Sequence, residues 1–413
     1  MITVEIITIG DELLIGQVID TNSSWIAREL NLIGFDVRYK TMVGDDECDI
    51  LDAFDRALSR VEVVLVTGGI GPTKDDITKK TLCKFFKTSL VFDEKTLETV
   101  QMIVRGLGKE VNELTRNQAY VPKDCTVIQN LWGTAPVTWF ERNGKILVSM
   151  PGVPYEMKGV MRDEILPRLQ DFFHSADVIL HRTFWVKNYG ESALAIHLEI
   201  FENELPPAIK LAYLPTSGLV RLRLTGKGSN AEELSLKMEE QREKLLICLK
   251  DDVVSEIDDD LENILDKQLK EKKLTLALAE SCTGGKLASL FTAIPGCSSY
   301  FKGGIVCYSN EIKQQLLGVD LQLLEKHGAV SREVVEAMAA GAYKAFRADC
   351  IVAVSGIAGP DGGTSEKPVG TVWIAVFYKG KIQSQKYLFS QNRESNILRA
   401  CNNGIRMLLE IVK

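Results

Sequence analysis

The chain has 413 residues, of which 45% are apolar and 25% charged, and its formal net charge is −7 at pH 7. At about 100–200 residues per domain, this length predicts two to four domains. The acidic balance argues against a general nucleic-acid-binding protein, because that class usually carries a basic face. No apolar run approaches the roughly 18 residues of a membrane span, so we expect no membrane association.

The cysteines and histidines indicate the cellular compartment and limit the kinds of catalytic site that the chain could form. The nine cysteines have no paired spacing, which predicts reduced thiols and a cytoplasmic location. The N-terminus lacks the basic region of a signal peptide, which agrees with that expectation. The four histidines share no metal-ligand spacing. A histidine-rich metal site or a Ser-His-Asp triad is therefore not expected, and hydrolysis would need another base or an oxygen-ligated metal.

Apolar runs alternate with helical patterns through residues 1–170. Val4–Ile9, Val61–Val66 and Lys145–Met150 have the composition of short buried strands, and Asn22–Leu32 has apolar residues at helical spacing. Continuous apolar strands between helices are typical of a parallel sheet covered on both faces. We expect these residues to form one three-layer α/β domain.

Two loops of this domain carry candidate ligand-binding residues. The Gly-rich turn Thr67–Thr73 follows a strand and can wrap a phosphate with backbone N–H groups, but it lacks the ending of a P-loop. Asp75 and Asp76 then either hold a divalent ion against a diphosphate or cap a helix predicted over Ile77–Phe86. A second loop follows the first strand and should reach the same sheet edge. The expected phosphate-binding residues are Gly10, Asp11, Glu12, Gly68, Gly69, Gly71 and Thr73.

The remaining chain divides into two further parts. Residues 171–254 hold the strand-like Thr183–Val186 and Gly218–Leu224 and the charged helix Ala231–Leu249, which predicts a small α+β module. Residues 255–413 return to an α/β pattern. Its predicted strands and closing helix are Lys273–Ala279, Cys350–Ser355, Gly370–Phe377, Lys381–Phe389 and Glu394–Val412. The predicted fold class is α/β, with two three-layer domains of mostly parallel sheets joined by the α+β module.

The sharpest local motif is Glu280–Gly285 (ESCTGG), which follows a predicted strand and opens a helix over Lys286–Phe291. Ligands bind at this carboxyl edge in open α/β sheets. The N–H groups of Cys282, Thr283, Gly284 and Gly285 are expected to be free in the first helical turn, where they would stabilise an oxyanion over Ser281. The alternative is that Ser281 only caps the helix.

Two more segments reach the same edge. In Gly303–Lys313 (GGIVCYSNEIK), a strand ends at Tyr308 and a helix begins near Ser309, so that Lys313 lies in its first turns. Burial lowers the pKa of a lysine enough for it to take a proton from serine, although a solvated lysine and a half-buried tyrosine are the plainer interpretations. Ser355–Gly363 (SGIAGPDGG) allows close backbone approach to a ligand, or is a surface loop.

Together with His327–Ser331 (HGAVS) and Lys367–Val376 (KPVGTVWIAV), these motifs resemble the C-terminal domain of the CinA family, the nicotinamide mononucleotide deamidases. The resemblance implies hydrolysis to the nicotinate nucleotide and ammonia without a cofactor. It makes Ser281 the nucleophile and Lys313 the general base, with Tyr308 assisting proton transfer or orientation and Arg393 binding the phosphate or supporting the site. The expected substrate-binding residues are Cys282, Thr283, Gly284, Gly285, Ser355, Gly356 and Gly359.

The N-terminal motifs GDELLIGQVIDTN, TGGIGPTKDD, NLWGTAP and MPGVPYEM resemble the molybdopterin-binding fold in its CinA-type branch. This resemblance implies an ADP-ribose pyrophosphatase that uses a divalent metal such as magnesium, with Asp75 and Asp76 as ligands. A molybdenum-cofactor (pterin nucleotide) binding protein is the rival. The middle segment resembles a KH-type module but has no convincing GXXG loop, so we expect a spacer that contributes to homodimer contacts.

The sequence therefore predicts a two-enzyme protein that recycles pyridine nucleotides. Its small-molecule partners would be nicotinamide mononucleotide and ADP-ribose. The alternative from a different class is an adaptor linked to competence or DNA damage, without turnover.

Overall fold

The computed structural model describes residues 1–174, 177–216, 218–389 and 392–412. The chain divides into two compact units, Met1–Leu180 with Gly226–Lys237, and His181–Thr225 with Met238–Lys413. Residues of the predicted middle module fall in both units, and the three-part division at 170 and 254 stays a prediction. None of the helices in the described ranges is long and apolar enough to cross a membrane.

The first unit is built on a six-stranded sheet. The strands of this sheet are β1 (Thr3–Ile9), β2 (Asp36–Val43), β3 (Val63–Thr67), β6 (Thr126–Ile128), β7 (Val137–Arg142) and β8 (Lys145–Met150). Strands β4 (Leu90–Phe92) and β5 (Tyr120–Pro122) form a separate two-stranded sheet. The helices of this unit are α1 (Asp11–Leu14), α2 (Asn22–Leu32), α3 (Glu47–Arg60), α4 (Thr78–Phe86), α5 (Glu94–Gly106), α6 (Glu113–Arg116), α7 (Pro154–Val160) and α8 (Leu166–Phe173), with a π-helical turn at Met161–Ile165.

The strand order of the six-stranded sheet is β2-β1-β3-β8-β7-β6. The first four strands are parallel, and β7 and β6 extend the sheet antiparallel. Alternate residues of each strand face opposite sides. Ile6 and Leu65 pack with α2 and α7, whereas Ile7 and Val64 pack with α3 and α4. Helices therefore cover both faces, and the predicted mostly parallel α/β architecture is confirmed.

The middle segment forms a four-stranded sheet of order β10-β11-β9-β12. Its elements are β9 (Val178–Val186), α9 (Glu191–His197), α10 (Glu199–Asn203), β10 (Ile209–Pro215), β11 (Val220–Gly228), α11 (Ala231–Leu249) and β12 (Val253–Ser255). Sequence patterns indicated β9, β11 and α11 but missed β10, because its side chains are mostly half-buried and do not alternate.

The second unit contains a five-stranded sheet of order β14-β13-β15-β16-β17. Its strands are β13 (Leu276–Glu280), β14 (Phe301–Val306), β15 (Cys350–Gly356), β16 (Thr371–Tyr378) and β17 (Lys381–Leu388). Its helices are α12 (Leu261–Lys272), α13 (Lys286–Thr292), α14 (Asn310–Leu317), α15 (Leu321–His327), α16 (Arg332–Phe346) and α17 (Arg393–Val412). Leu278 and Val352 pack with α12 and α17, and Ala279 and Ile351 pack with α16, which gives three layers.

The register of the three parallel strands places the site of this unit. Glu280, the last residue of β13, pairs with Val306 of β14 and with Val354 of β15. The strands therefore end together, and the loops that follow them leave from one edge of the sheet. Ser281 is the first residue after β13 at this edge.

Candidate active site

Ser281 and Lys313 meet at the carboxyl edge of the second unit's sheet. Ser281 follows β13, and Lys313 lies in the first turns of α14, which follows β14. Lys313 Nζ lies 3.0 Å from Ser281 Oγ. Both side chains are buried, with exposed fractions of 1% for Lys313 and 7% for Ser281. The parallel pairing of β13 with β14 thus brings together two residues that are 32 positions apart in the sequence.

Burial of Lys313 shifts its amine towards the neutral form. Burial lowers the pKa of its amine below the ordinary value of 10.5. Nζ donates hydrogen bonds to the carbonyl oxygens of Cys307 at 2.8 Å and Tyr308 at 3.2 Å. A neutral amine has two protons and one lone pair, so these two carbonyls accept both protons. The lone pair is then left for the Ser281 hydroxyl, which is the arrangement that a general base needs.

The turn after β13 differs from expectation in its hydrogen bonds. Helix α13 begins at Lys286, with Gly285 rather than Ser281 at the N-cap position. The fully buried carboxylate of Glu280 accepts the N–H groups of Gly285 at 3.0 Å, Leu287 at 3.1 Å and Ala288 at 2.8 Å. Ser281 is therefore not the cap of this helix, and its hydroxyl is left for Lys313.

The expectation that Gly284 and Gly285 supply free N–H groups is wrong. The Gly284 N–H donates to the carbonyl oxygen of Ser281 at 3.1 Å, and the Gly285 N–H is bound by Glu280. Among the described residues, the N–H groups of Cys282 and Thr283 have no acceptor. These two remain as donors for an oxyanion. Sequence reasoning missed Glu280, because it lies six residues before the first residue of α13, too far for the usual signal of an acidic residue in the first helical turn.

A cavity of about 170 Å³ lies beside the Ser281–Lys313 pair. The predicted site residues that line it are Ser281, Cys282, Tyr308, Lys313, Ser355, Gly356 and Arg393. The predicted residues outside its wall are Thr283, Gly284, Gly285 and Gly359. The structure therefore gathers the predicted nucleophile, base, tyrosine and arginine around one small cavity.

Arg393 and Tyr308 lie on the solvent side of this cavity. The Arg393 guanidinium donates to the Tyr308 hydroxyl at 3.1 Å and to the Gly359 carbonyl oxygen at 2.7 Å. Both side chains are exposed, and Tyr308 is 61% exposed. The Ser355 hydroxyl is turned away to donate to the Ala329 carbonyl oxygen at 2.7 Å. The cavity thus combines a buried base with a positive charge near solvent, which suits an anionic substrate.

The first unit has a larger cavity, of about 450 Å³, at the carboxyl ends of β1 and β3. The predicted residues in its wall are Glu12, Gly68, Gly69, Gly71 and Asp76, whereas Gly10, Asp11, Thr73 and Asp75 lie outside it. Gly68 has φ +112°, and a Cβ there would lie 2.1 Å from the Ile9 carbonyl oxygen. Only glycine fits this close approach of two backbone segments.

Asp76 stabilises the Gly-rich loop instead of capping α4. Its carboxylate accepts the Gly71 N–H at 2.7 Å, and the Thr73 N–H and hydroxyl at 2.9 and 2.6 Å. Helix α4 has no side-chain cap. The carboxyl of Asp75 is at the surface. Asp11 lies away from the cavity and exchanges backbone-to-carboxylate hydrogen bonds with Asp45.

The carboxylates of Asp75 and Asp76 were predicted to bind a metal. The described residues contain no group of three or more His, Cys, Asp or Glu side chains that could hold a metal ion. Magnesium commonly uses one or two carboxylates together with phosphate oxygens of the substrate. Asp76 fits that use as a single wall ligand, because its Oδ1 accepts only one hydrogen bond. Metal binding by Asp75 and Asp76 stays a prediction.

Comparison with known proteins assigns both halves of the chain. The model of the CinA C-terminal domain matches residues 258–412, and that of the probable molybdopterin binding domain matches residues 5–171. A CinA-like protein from Cytophaga hutchinsonii is 45% identical over 412 residues, which cover 99% of this chain and 98% of that protein. The chain belongs to the CinA family.

Other CinA-family proteins are similar to this chain over different lengths. A putative competence-damage inducible protein from Clostridium beijerinckii is 39% identical and covers 99% of both chains. The crystal structure of the competence/damage inducible protein CihA from Agrobacterium tumefaciens is 36% identical, covers 37% of this chain and 94% of its own, and has a TM-score of 0.37. Within this family assignment, the homodimer, the cytoplasmic location and the lack of a nucleic-acid partner stay predictions.

Proposed function

We propose that the second unit of this CinA-family protein hydrolyses the carboxamide of nicotinamide mononucleotide to the nicotinate nucleotide and ammonia. The observation that carries this proposal is the buried amine of Lys313, 3.0 Å from the Ser281 hydroxyl and bonded to two carbonyl oxygens. A Ser–Lys pair performs acyl chemistry without histidine. The choice of nicotinamide mononucleotide as the substrate amide rests on the resemblance of the motifs to those of nicotinamide mononucleotide deamidases.

The acylation half uses Lys313 first as base and then as acid. Ser281 Oγ attacks the carboxamide carbon while its proton passes to Lys313 Nζ, and the carbonyl oxygen becomes an oxyanion. The free N–H group of Cys282, which lines the cavity, stabilises that oxyanion. The C–N bond then breaks, and Nζ returns the proton to the leaving nitrogen, so that ammonia departs and an ester remains on Ser281.

Hydrolysis of the ester repeats the proton transfers with water. Lys313 Nζ takes a proton from water as the water oxygen bonds to the acyl carbon. The bond to Ser281 Oγ then breaks, and Nζ returns the proton to that oxygen. The products are the original hydroxyl and the carboxylic acid, which releases its proton to solvent and becomes the carboxylate. The same amine serves both halves, which requires that it be neutral before each attack.

Arg393 is the residue that we assign to the substrate phosphate. Its guanidinium is fixed by hydrogen bonds to Gly359 and Tyr308, on the exposed side of the cavity. Arginine binds phosphate with charge-assisted hydrogen bonds in a planar geometry. A cavity of about 170 Å³ suits the pyridine ring and carboxamide, with the phosphate outside it.

The test is ammonia release from nicotinamide mononucleotide by the full chain. Ser281→Ala should abolish release, and Lys313→Met should reduce it by at least about a thousandfold, as for other nucleophile–base pairs. Ser289→Ala, at an exposed serine on α13, is the matched control and should match wild type. Equal release by wild type and Ser281→Ala would remove Ser281 from the reaction.

For the first unit we propose hydrolysis of ADP-ribose at its diphosphate, yielding AMP and ribose 5-phosphate. The specific observation is the cavity of about 450 Å³ beside the Gly-rich loop, with carboxylates of Glu12, Asp76 and Glu156 in its wall. Backbone N–H groups of such a loop bind phosphates. A divalent ion held by Asp76 and the diphosphate would neutralise phosphate charge when bound.

This second proposal is tested by chromatography of AMP release from ADP-ribose with added magnesium. Asp76→Asn should lower the rate strongly, and Asp124→Asn, at an exposed position, should not. Tight pterin-nucleotide binding without ADP-ribose turnover would favour the molybdenum-cofactor alternative. Absence of turnover at both sites, with Ser281→Ala leaving a cellular phenotype intact, would favour the adaptor.

A further inference from the structure

A second cavity of the first unit continues from the first one. It measures about 340 Å³ and shares the wall residues Gly71, Pro72, Asp76 and Gln118 with the cavity of about 450 Å³. Lys79, on α4, lines the second cavity. Lys79 and Gln118 belong to none of the motifs that the sequence analysis singled out. The junction between the two cavities is therefore an unassigned part of the proposed nucleotide site.

Lys79 brings an ammonium group to this junction without a direct acidic partner. Its Nζ donates to the backbone oxygen of Gln118 at 3.3 Å and also to the Gln118 Oε1. Among the described residues, no carboxylate lies within ion-pair distance of it, and Asp76 acts on it only through the longer-range field. An ammonium has three protons. The two contacts with Gln118 leave one proton for another acceptor.

Burial lowers the pKa of Lys79 to about 8. An anion within hydrogen-bond distance would favour the charged form and oppose this shift. This half-buried lysine therefore gains from an anionic ligand at this position in a way that a fully solvated lysine does not.

Gln118 supplies a second donor. Its side chain is 1% exposed, and its Oε1 must face Lys79, because an ammonium only donates. This fixes which end of the amide carries nitrogen. The Nε2 group has no hydrogen-bond partner within the described part of the chain. Buried donors are nearly always paired, so an unpaired one calls for an acceptor that binds there.

We propose that Lys79 and Gln118 form an anion subsite at the junction of the two cavities, which takes a phosphate oxygen of a bound nucleotide. The two groups offer donors only, which selects a ligand rich in acceptors and negative charge. Asp76 lies in the wall of both cavities, and its carboxylate already accepts three hydrogen bonds from the loop. The subsite rests on the proposed diphosphatase only for the identity of the nucleotide.

The test is calorimetric titration of the full chain with inorganic pyrophosphate, ADP-ribose and uncharged adenosine. Lys79→Met should weaken binding of both phosphate compounds by about tenfold or more, as expected for a lost charged hydrogen bond. It should leave adenosine binding unchanged. Lys80→Met, at an exposed lysine of the same cavity, is the matched control and should change each affinity less than about threefold.

Gln118→Glu keeps the test decisive if Lys79→Met folds poorly. It replaces the free donor with an acceptor, gives Lys79 an ion-pair partner and should abolish pyrophosphate binding without lowering the melting temperature. Pyrophosphate binding by Lys79→Met or Gln118→Glu equal to that of wild type would overturn the subsite, as would no binding by wild type. If wild type binds ADP-ribose through Lys79 but does not cleave it, the diphosphatase fails and the subsite stands.

Discussion

The buried carboxylate of Glu280 accepts the N–H of Ala288 at 2.8 Å, eight residues further along the chain. The same group accepts the N–H groups of Gly285 and Leu287. The last residue of β13 is thereby tied to the start of α13, and the turn between them, which carries Ser281, cannot shift independently of either element. In the proposed reaction, Glu280 is a positioning residue for Ser281, because it acts through this turn and does not line the cavity.

Glu280→Gln should impair both stability and turnover. One carboxylate oxygen becomes an NH₂ donor facing backbone N–H groups, so at least one buried charged hydrogen bond is lost, at a cost of about 1–3 kcal/mol in the free energy of unfolding. The kcat for nicotinamide mononucleotide should fall more than KM rises, because the turn misplaces Ser281 Oγ relative to Lys313. Denaturant unfolding and steady-state kinetics measure the two effects.

The control for Glu280 is Glu325→Gln, at an exposed position of the same unit. A Glu280→Gln protein with reduced stability but an unchanged kcat would limit this residue to a purely structural role.

Lys313 predicts a rise of kcat/KM with pH. The base acts when neutral, and burial places its pKa below 10.5, so the rate should increase as pH passes through this lowered pKa and then level off. Arginine replacement would not restore activity, because a guanidinium stays protonated. A kcat/KM that does not rise with pH anywhere below 10.5, with Lys313→Met equally active, would contradict the role of this amine.

The same shift fixes the sign of a stability effect. Between the folded pKa and 10.5, the unfolded chain binds the Lys313 proton and the folded chain does not. The free energy of unfolding contributed by this residue therefore increases with pH across that window. At lower pH the folded state carries the full cost of a buried ammonium. The unfolding free energy of wild type minus that of Lys313→Met should become more positive as pH rises. A value that becomes more negative would show that another group dominates.

The contact between Ser281 and Lys313 could be predicted from the sequence, because it depends on the topology of the sheet. Buried strands separated by helical patterns indicate parallel pairing, and parallel strands deliver the residues after them to one edge. The hydrogen bonds of the turn could not be predicted from the sequence. The carboxylate of Glu280 reaches the Gly285 N–H only because of the position of helix α13, which depends on tertiary packing. Local preference alone assigned those groups to a ligand.

A similar competition explains the N-terminal loop. Asp76 was a reasonable helix cap by residue type, yet it accepts the N–H of Gly71, five residues earlier, because the Gly-rich loop folds back over it. Lys79 and Gln118 are 39 positions apart and share no motif. Their meeting depends on the packing of α4 against β5, which directly follows Gln118 and Ala119, and no local pattern encodes that packing.

Arg393 predicts how the second unit selects its substrate. If this guanidinium binds the phosphate, Arg393→Met should lower kcat/KM for nicotinamide mononucleotide by about 10–100-fold, while activity on nicotinamide riboside, which has no phosphate, should be nearly unchanged. Arg332→Met, at an arginine that is 64% exposed, is the control. An equal loss on both substrates would mean that Arg393 supports Tyr308 and the loop rather than the phosphate.

Gly68→Ala should separate the two units of the protein functionally. The added Cβ would lie 2.1 Å from the Ile9 carbonyl oxygen, at a residue with φ +112°, so β1 and the Gly-rich loop must move apart. We expect loss of ADP-ribose binding, together with a drop of about 1–3 kcal/mol or more in the unfolding free energy of the first unit. Gly16→Ala is the matched control, because Gly16 also has a positive φ, +73°, but its Cβ would meet nothing within 4 Å.

Nicotinamide mononucleotide deamidation should persist in both variants, since Ser281, Lys313 and Arg393 all belong to the second unit. Loss of deamidation in Gly68→Ala alone, with the second unit still folded by hydrogen exchange, would show that the two sites are coupled.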